Sequence, residues 1–554
     1  MKLIFLSFIL GITLSSTGPA NGQPLQKKRD YSRQDTLRGS LTSERVWWDV
    51  LHYNIEVNPD YLTKTIQGRN IITYRNIEGG KKMQIDLQQP MQIDSVHDGE
   101  GLKTELSRDG NLYYITWDAK QVMQVKKQRT ITLYFSGKPK EAVNPPWDGG
   151  WIWKKDNNGN PWMSVACQGL GASVWYPCKD HQSDEPDSAS ITIITPDTLT
   201  AVSNGRLAAK KTRGKGITSW TWQLKNPVNS YNIVPYIGKY ANFSDIYNGE
   251  NGKLDLNYWC LDYNLGRAKS HLEPQVKAML KCFEYWFGPY PFYSDGYKLV
   301  EAPHLGMEHQ SAIAYGNGYK MGYNGKDWSG TGQGLKWDFI VVHESGHEWF
   351  GNSITAKDIA DMWLHEGFTS YSETLFTECQ SGKKAAQDYV TGVRKVIQND
   401  IPLIGDYGVN QEGSGDMYCK GANLIHILRQ VINDDEKFRK ILRGLNKRFY
   451  HQEVSTKDIE TFISTNSKID FSKIFDQYLR TTQIPKLEYK IKGGDLTYRW
   501  INCVKGFNLP LKVTFKGERW IRPTEEWQVL SLYPESIGVF TINQNFYINS
   551  VKVN

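Results

Sequence analysis

The chain has little cysteine, and its cysteines are widely spaced. Seven occur in 554 residues, none at the C-x-x-C spacing of a zinc-thiolate site, and an odd number leaves at least one unpaired. The sequence leaves open both a disulfide between Cys167 and Cys178 and a set of buried free thiols. In neither case is cysteine chemistry expected to carry the function.

An excess of charge of one sign and a long apolar run are also missing. The formal net charge of +7 is small for this length and the basic residues are scattered, so a nucleic-acid-binding function is not indicated. The apolar run at residues 3–14 is shorter than the roughly 20 residues that span a bilayer, and no later segment reaches that length. The run follows a lysine and precedes small, polar residues. This pattern predicts a signal peptide at residues 1–22 and export to the periplasm or the extracellular space.

The hydrophobic pattern divides the rest of the chain into four parts. Residues 23–44 are polar and charged, which predicts a flexible leader. Period-two alternation over residues 45–245 predicts an N-terminal antiparallel β domain, and helical spacing predicts a mainly helical domain over residues 246–485. Strand-like runs return over residues 486–554 and predict a small C-terminal β-sandwich. The expected fold class is therefore a multidomain α+β protein.

One short motif has the residue types of a zinc site. HESGHEWFGN, at residues 343–352, places His343 and His347 one helical turn apart, close enough for both imidazoles to reach one metal ion. Glu344 can then act as a general base on a metal-bound water. The alternative is a pair of buried histidines whose ring nitrogens are satisfied by hydrogen bonds.

A catalytic zinc ion usually has three protein ligands. The candidate third ligand is Glu366, with 18 residues between it and His347. Glu373 lies seven residues further on, on the same helical face, and could accept a hydrogen bond from a ligand imidazole. Both acids could instead be ordinary solvated residues of a helix.

These residues resemble the gluzincin aminopeptidases, the group that contains aminopeptidase N and the leukotriene-type epoxide hydrolase. The H-E-x-x-H motif and its later glutamate lie within W-F-G-N and E-G-F, as in that family. Residues 304–309, HLGMEH, are similar to its Gly-x-Met-Glu-Asn motif, and residues 418–421, YCKG, to its Tyr-x-Lys-Gly motif. The resemblance runs from about residue 45 to the end, without the long C-terminal helical domain of many relatives. It implies a thermolysin-like catalytic domain and one Zn²⁺ per chain.

The resemblance also implies roles for single residues in peptide hydrolysis. His343, His347 and Glu366 would hold the zinc ion, which would polarise the scissile carbonyl. Glu344 would take a proton from the attacking water and pass it to the leaving amine. Tyr418 would stabilise the negative charge that develops on the carbonyl oxygen.

Further residues are implied for substrate binding. Glu308 would hold the α-ammonium group of a peptide with a free N-terminal amine, because a buried carboxylate needs a positive partner. Gly306 and Met307 would offer extended backbone for the substrate to pair with. Gln168, from the β domain, looks equivalent to a family glutamine that joins the amine site. The expected substrates are therefore peptides with a free amino terminus.

Three positions depart from the family pattern. His309, His365 and Glu348 stand where the family usually has Asn, Asn and Gln. Together with His304, the two histidines could be structural neighbours of the site or extra titrating groups near the zinc ion.

The expected function is that of an exported zinc metallo-aminopeptidase. One alternative is an epoxide hydrolase with the same metal. The other is a secreted binding protein, since the aromatic-rich residues 145–165 could stack on sugars.

Overall fold

The computed structural model describes residues 30–118, 125–515, 517–531 and 540–554. The signal peptide predicted at residues 1–22 lies outside the described residues. Among the described helices, none combines the length and the apolar character needed to cross a bilayer.

Residues 30–44 do not form the flexible leader that their composition predicts. They contain helix α1 (Arg33–Gly39) and lead into helix α2 (Ser43–Val46). α1 begins with a capping box, in which the Ser32 side chain accepts from the Asp35 backbone and the Asp35 side chain accepts from that of Ser32. Arg33 pairs with Asp109 and Arg38 with Asp180 of the β domain, and the expectation of a flexible leader is corrected for this part of the chain.

The N-terminal β domain is built from three sheets. A seven-stranded sheet has the order β12-β13-β10-β1-β2-β7-β4, and smaller sheets have the orders β11-β14-β9-β8 and β3-β6-β5. In the large sheet β1 pairs with β10 in parallel and the other neighbours are antiparallel. The strands are β1 (Trp48–Asp60), β2 (Thr65–Asn76), β3 (Lys82–Asp86), β4 (Gln92–Asp98), β5 (Thr104–Asp109), β6 (Leu112–Trp117), β7 (Gln128–Gly137), β8 (Gly150–Lys155), β9 (Pro161–Ala166), β10 (Ser188–Pro196), β11 (Thr200–Val202), β12 (Arg206–Gly214), β13 (Ile217–Leu224) and β14 (Tyr236–Gly238).

The catalytic part joins a five-stranded sheet, ordered β15-β16-β17-β19-β18, to a set of helices. Its first strand begins at Tyr240, so the boundary expected at residues 245–246 falls inside a strand. The strands are β15 (Tyr240–Gly249), β16 (Gly252–Leu261), β17 (Tyr297–Glu301), β18 (Gly306–Met307), β19 (Ile313–Tyr315), β20 (Ile354–Ala356) and β21 (Gln452–Val454). The helices are α3 (Leu265–Phe287), α4 (Phe339–Gly346), α5 (Trp363–Ser381), α6 (Lys383–Gly392), α7 (Cys419–Ile432), α8 (Asp435–Arg448), α9 (Thr456–Ser467) and α10 (Ser472–Arg480).

The described residues of the C-terminal part form two small sheets, ordered β26-β23-β22-β28 and β25-β24-β27. Buried side chains such as Trp500 and Leu511 belong to the same apolar core as the catalytic helices. The strands are β22 (Lys486–Lys492), β23 (Asp495–Ile501), β24 (Leu511–Thr514), β25 (Glu518–Ile521), β26 (Gln528–Ser531), β27 (Thr541–Ile542) and β28 (Asn549–Lys552). The predicted α+β architecture, with β-rich ends around a helical centre, is confirmed.

One disulfide, between Cys282 and Cys379, links α3 to α5. The sequence gives no sign of this pairing, because 97 residues separate the two cysteines. Cys167 and Cys178 are both buried and free, so of the two possibilities left open for them the free thiols hold.

Candidate active site

Helix α4 begins at a strong cap and carries the first two candidate ligands. The Asp338 side chain accepts hydrogen bonds from the backbone N–H groups of Ile340, at 3.0 Å, and Val341, at 3.3 Å. α4 ends at Gly346, so His347 occupies its C-terminal cap, one turn after His343. Both histidines are buried, because the apolar side chains of α4 place the whole helix inside the protein.

Helix α5 brings Glu366 against both histidines. The carboxylate oxygen Oε2 of Glu366 lies 3.5 Å from Nε2 of His343 and 3.4 Å from Nε2 of His347. This oxygen is buried and has no hydrogen-bond partner among the residues that the structure describes. An unsatisfied carboxylate oxygen facing two imidazole nitrogens is costly on its own, and a cation among the three satisfies it. The two nitrogens and one oxygen are a donor set that zinc prefers, so the residues fit a zinc ion.

The other imidazole nitrogens are held by hydrogen bonds. Nδ1 of His343 lies 2.7 Å from Oε1 of Glu373, whose Oε2 accepts from the Tyr389 hydroxyl at 2.5 Å. Nδ1 of His347 lies 3.1 Å from the carbonyl oxygen of Phe350. These bonds fix both rings with Nε2 toward Glu366. Tyr389 is a supporting residue that no motif in the sequence marks.

Glu344 follows His343 on the same helix, and its carboxylate approaches strand β18. Its carboxyl is buried, and burial, with a smaller contribution from the nearby Glu308, raises its pKa to about 7. Oε1 of Glu344 would be 2.5 Å from a Cβ atom placed on Gly306, so the carboxylate lies directly against the backbone of strand β18. A carboxylate oxygen of Glu344, a carboxylate oxygen of Glu308 and a ring nitrogen of His347 all lie within 4.8 Å of one another.

Glu308 follows the short strand β18 and is almost completely buried. Its Oε1 accepts a hydrogen bond of 3.0 Å from the Tyr231 hydroxyl, and its backbone carbonyl accepts one of 2.8 Å from Asn352 Nδ2. Burial raises the pKa of the Glu308 carboxyl. Tyr231 comes from the β domain, 77 residues away in sequence, and sequence reasoning misses it.

Tyr418 and Gln168 approach the candidate metal ligands from two other directions. The Tyr418 ring stacks on His343 with a centroid distance of 6.0 Å. Burial and the negative charge of Glu366 raise the pKa of Tyr418 far above its ordinary value. The side-chain amide of Gln168 donates to Oε1 of Glu366 at 3.2 Å. The sequence predicts Gln168 at the amine-binding end, whereas its hydrogen bond in the structure reaches the third candidate ligand.

The three unusual histidines have structural partners. Nδ1 of His309 is 2.6 Å from the Tyr236 hydroxyl, and Nε2 of His365 accepts from the backbone N–H of Ala356 at 2.8 Å. Burial lowers the pKa of His304 to about 4 and that of His365 to about 3, which favours their neutral forms near neutral pH. Nδ1 of His304 lies 3.3 Å from the carbonyl oxygen of Gly306, and the contacts of all three rings favour a structural role.

Glu348 is a buried residue just after helix α4, and its side chain links this helix end to the loop that follows Glu308. Its carboxylate accepts from the Tyr290 hydroxyl at 2.6 Å, from the Ser311 N–H at 2.9 Å and from Asn352 Nδ2 at 3.2 Å. Burial raises its pKa to about 7. Glu348 thus helps to place the segment that carries Glu308.

Comparison with known sequences gives matches over both large parts of the chain. Residues 271–478 match the profile described as Peptidase family M1 domain, and residues 50–232 match Peptidase M1 N-terminal domain. Aminopeptidase M1 of Arabidopsis thaliana is 22% identical over 334 residues, which are 58% of this chain and 37% of that protein. Probable aminopeptidase 1 of Sulfurisphaera tokodaii is 22% identical over 505 residues, 86% of this chain and 60% of that protein. The chain thus spans less than two thirds of these curated relatives.

Solved structures show the same fold. A mutant of the M1 zinc metallopeptidase from Deinococcus radiodurans, bound to a Tyr-Ser-Ala substrate, superposes with a TM-score of 0.65 at 20% identity and covers 79% of this chain and 95% of that chain. A two-domain M1 zinc metallopeptidase mutant bound to L-tryptophan gives 0.64 at 21% identity and covers 76% and 92%. At this identity the likeness shows the fold alone.

Proposed function

The chain belongs to the M1 peptidase family, and from this premise we propose that it is a zinc-dependent aminopeptidase acting on peptides with a free N-terminal amine. The observation that carries the proposal is the buried Glu308 carboxylate, held by Tyr231 within reach of Glu344 and His347. Within the described part of the chain, no cationic side chain hydrogen-bonds to this buried carboxylate, which favours a ligand that brings the positive charge. An N-terminal ammonium group is such a ligand, and it places the first peptide bond next to Glu344.

His343, His347 and Glu366 are the residues that would hold the zinc ion. The ion, when bound, supplies a Lewis acid that polarises the scissile carbonyl and makes a water molecule more acidic. Glu373 and the carbonyl of Phe350 keep the two imidazoles turned toward the ion.

Glu344 is the proposed general base and general acid. A pKa of about 7 lets it take a proton from the attacking water and release it to the leaving amine near neutral pH. Its place against Gly306 puts both transfers beside the strand β18, where the substrate backbone would pair with Gly306 and Met307.

Tyr418 is the proposed stabiliser of negative charge on the carbonyl oxygen. Because its pKa is raised, its hydroxyl stays protonated and can donate a hydrogen bond as that charge develops. This contact is worth more in the transition state than in the bound substrate, which is the condition for accelerating the reaction.

We also propose that the protein acts outside the cytoplasm. The Cys282–Cys379 disulfide supports this location, since disulfides persist in oxidising compartments. The apolar run at residues 3–14 would serve as the export signal.

The proposed activity can be tested by incubating a peptide of about ten residues with the protein and identifying the products by mass spectrometry. We expect N-terminal residues to be removed one at a time, and the Glu344→Gln variant to leave the peptide intact. Cleavage at internal bonds would contradict the proposal. A peptide that is bound but unchanged by the wild-type protein would instead favour the binding-protein alternative.

A further inference from the structure

The segment at residues 30–46, here called the N-terminal strap, lies across the boundary between the β domain and the catalytic domain. Arg33 donates to both oxygens of Asp109, at 3.1 and 2.7 Å, and Arg45 donates to Asp86 at 2.6 Å. Arg45 is completely buried. The buried Arg45 pair anchors the C-terminal end of the strap on the β domain, whereas the Arg33 pair is exposed to solvent.

The middle of the strap contacts a loop of the catalytic domain. The backbone carbonyl of Asp35 accepts a hydrogen bond of 3.1 Å from the backbone N–H of Asn410. A Cβ atom on Gly39 would lie 2.1 Å from the carbonyl carbon of Val409, so the two backbones are in direct contact. The strap therefore contacts both the β domain and the catalytic domain.

Arg38 extends from the strap toward the loop that carries Gln168. Its Nη2 donates to the carbonyl oxygen of Gly169 at 3.2 Å, and its Nε lies 3.4 Å from Oδ2 of Asp180. Asn410 Nδ2 donates to the same Gly169 oxygen, also at 3.2 Å. One carbonyl, next in sequence to Gln168, is thus held by the strap and by the catalytic domain together.

The loop at residues 167–171 is a tight turn that side chains outside it also contact. Gly169 and Gly171 have φ values of +69° and +94°, conformations that glycine adopts freely, and the Gly171 N–H donates to the Cys167 carbonyl at 2.6 Å. Gln168 projects from this loop to Glu366. A shift of the Gly169 carbonyl would therefore move the Gln168 amide at the candidate site.

We propose that Arg38 is a positioning residue, through which the N-terminal strap fixes Gln168 beside Glu366 at the candidate site and thereby sets substrate affinity. The inference rests on the proposed peptidase function. It differs from that function in assigning substrate affinity to a segment outside the catalytic domain. Arg38 acts through the Gly169 carbonyl, so its loss should affect binding more than the chemical step.

Steady-state kinetics of the Arg38→Ala variant test the proposal. Losing a charge-assisted hydrogen bond should raise KM for peptides about tenfold, with kcat changed by less than about twofold. Arg38→Lys should recover only part of the affinity, because lysine lacks the planar fork that reaches Gly169 and Asp180 together. Arg33→Ala is the matched control, since it removes an exposed ion pair of the same helix and should leave KM unchanged.

A second variant covers the case in which Arg38→Ala fails to fold. Asn410→Ala removes the other side-chain donor to the Gly169 carbonyl and should also raise KM with little change in kcat. An unchanged KM in a folded Arg38→Ala, or in Asn410→Ala, would overturn the proposal. An equal rise of KM in Arg33→Ala would overturn it too, because the effect would then belong to the whole helix.

Binding without turnover separates this inference from the proposed function. Calorimetry of a tripeptide with the zinc-loaded Glu344→Gln protein gives Kd directly, and adding Arg38→Ala should weaken it about tenfold. If the wild-type enzyme cleaves no peptide but this Kd still responds, the peptidase proposal fails and the positioning role stands. If the wild type cleaves peptides and Kd does not respond, the positioning role is the part that fails.

Discussion

Glu344 and Glu308 are two buried carboxylates that lie close together but have different neighbours. Glu344 lies against the backbone at Gly306, whereas Glu308 accepts a hydrogen bond from Tyr231 and has its own backbone fixed by Asn352. Two carboxyl groups with different surroundings can carry different roles in one site. We assign proton transfer to Glu344 and recognition of the ammonium group to Glu308.

Replacing Glu344 tests the first assignment. Glu344→Gln keeps the size of the side chain but removes its ability to accept a proton, so kcat should fall about 10²- to 10⁴-fold. Zinc content, measured by atomic absorption, should stay at one ion per chain. Loss of zinc together with activity would show that Glu344 supports the metal instead.

Replacing Glu308 tests the second assignment. Glu308→Gln removes the negative charge, and KM for peptides with a free amine should rise roughly 30-fold or more, the cost of breaking a buried charge pair. Tyr231→Phe is the matched control, because it removes the hydrogen bond to Glu308 but keeps the charge. It should raise KM less than Glu308→Gln does. Equal KM values for wild type and Glu308→Gln would contradict the role.

Among the elements, those that carry the candidate metal ligands can be predicted from the sequence. The helical period brings His343 and His347, four residues apart, onto one face, and Glu366 lies in the first turn of the next α-helix, α5. The β domain can also be predicted, because apolar and polar residues alternate along its strands with a period of two.

Contacts between elements that are far apart in the sequence cannot be predicted from such local patterns. Gln168 and Glu366 are 198 residues apart, and no local pattern says that they meet. The strap looks disordered because composition records its charges but not the partners, such as Asp86 and Asp109, that neutralise them. The Cys282–Cys379 pair is hidden for the same reason.

His181 gives the contact between the strap and the β domain a pH dependence. Its Nδ1 accepts from the Ser183 N–H at 3.2 Å, so Nε2 donates to the carbonyl of Gly39, also at 3.2 Å. Burial, together with the positive charge of Arg45, lowers its pKa to about 4. The unfolded chain binds a proton near pH 6.5 and the folded protein only near pH 4, so this stability is present above pH 6.5 and is lost as the pH falls toward 4.

A His181→Asn variant measures this dependence. Between pH 7 and pH 5 the wild type should lose about 2 kcal/mol of unfolding free energy relative to the variant, because its histidine must stay neutral when folded. Urea unfolding of both proteins at the two pH values gives the difference. Parallel losses in the two proteins would show that His181 does not titrate between the folded and unfolded states.

The β domain and the catalytic domain meet at the candidate zinc site. The β domain supplies Gln168 and Tyr231, the loop after β18 supplies Glu308, and α4, the residue that caps it and α5 supply the candidate ligands. Binding of an ion that the unfolded chain does not bind stabilises the folded state by mass action.

Zinc should therefore raise the thermal stability of the whole chain. At a free zinc concentration about 100 times Kd the gain is about 2.7 kcal/mol, visible as a higher Tm by scanning calorimetry. Glu366→Gln, which weakens one ligand, should show a much smaller shift. Equal shifts in the two proteins would place the stabilising ion elsewhere.

The most direct test of the central claim compares aminoacyl-p-nitroanilides with their N-acetylated twins, before and after chelation and zinc readdition. The account predicts that only free-amine substrates are cleaved, that chelation stops the reaction and that zinc restores it. Equal cleavage of the acetylated twins would contradict the role of Glu308 as the site for the substrate amine. Cleavage that survives complete chelation would contradict a zinc aminopeptidase altogether.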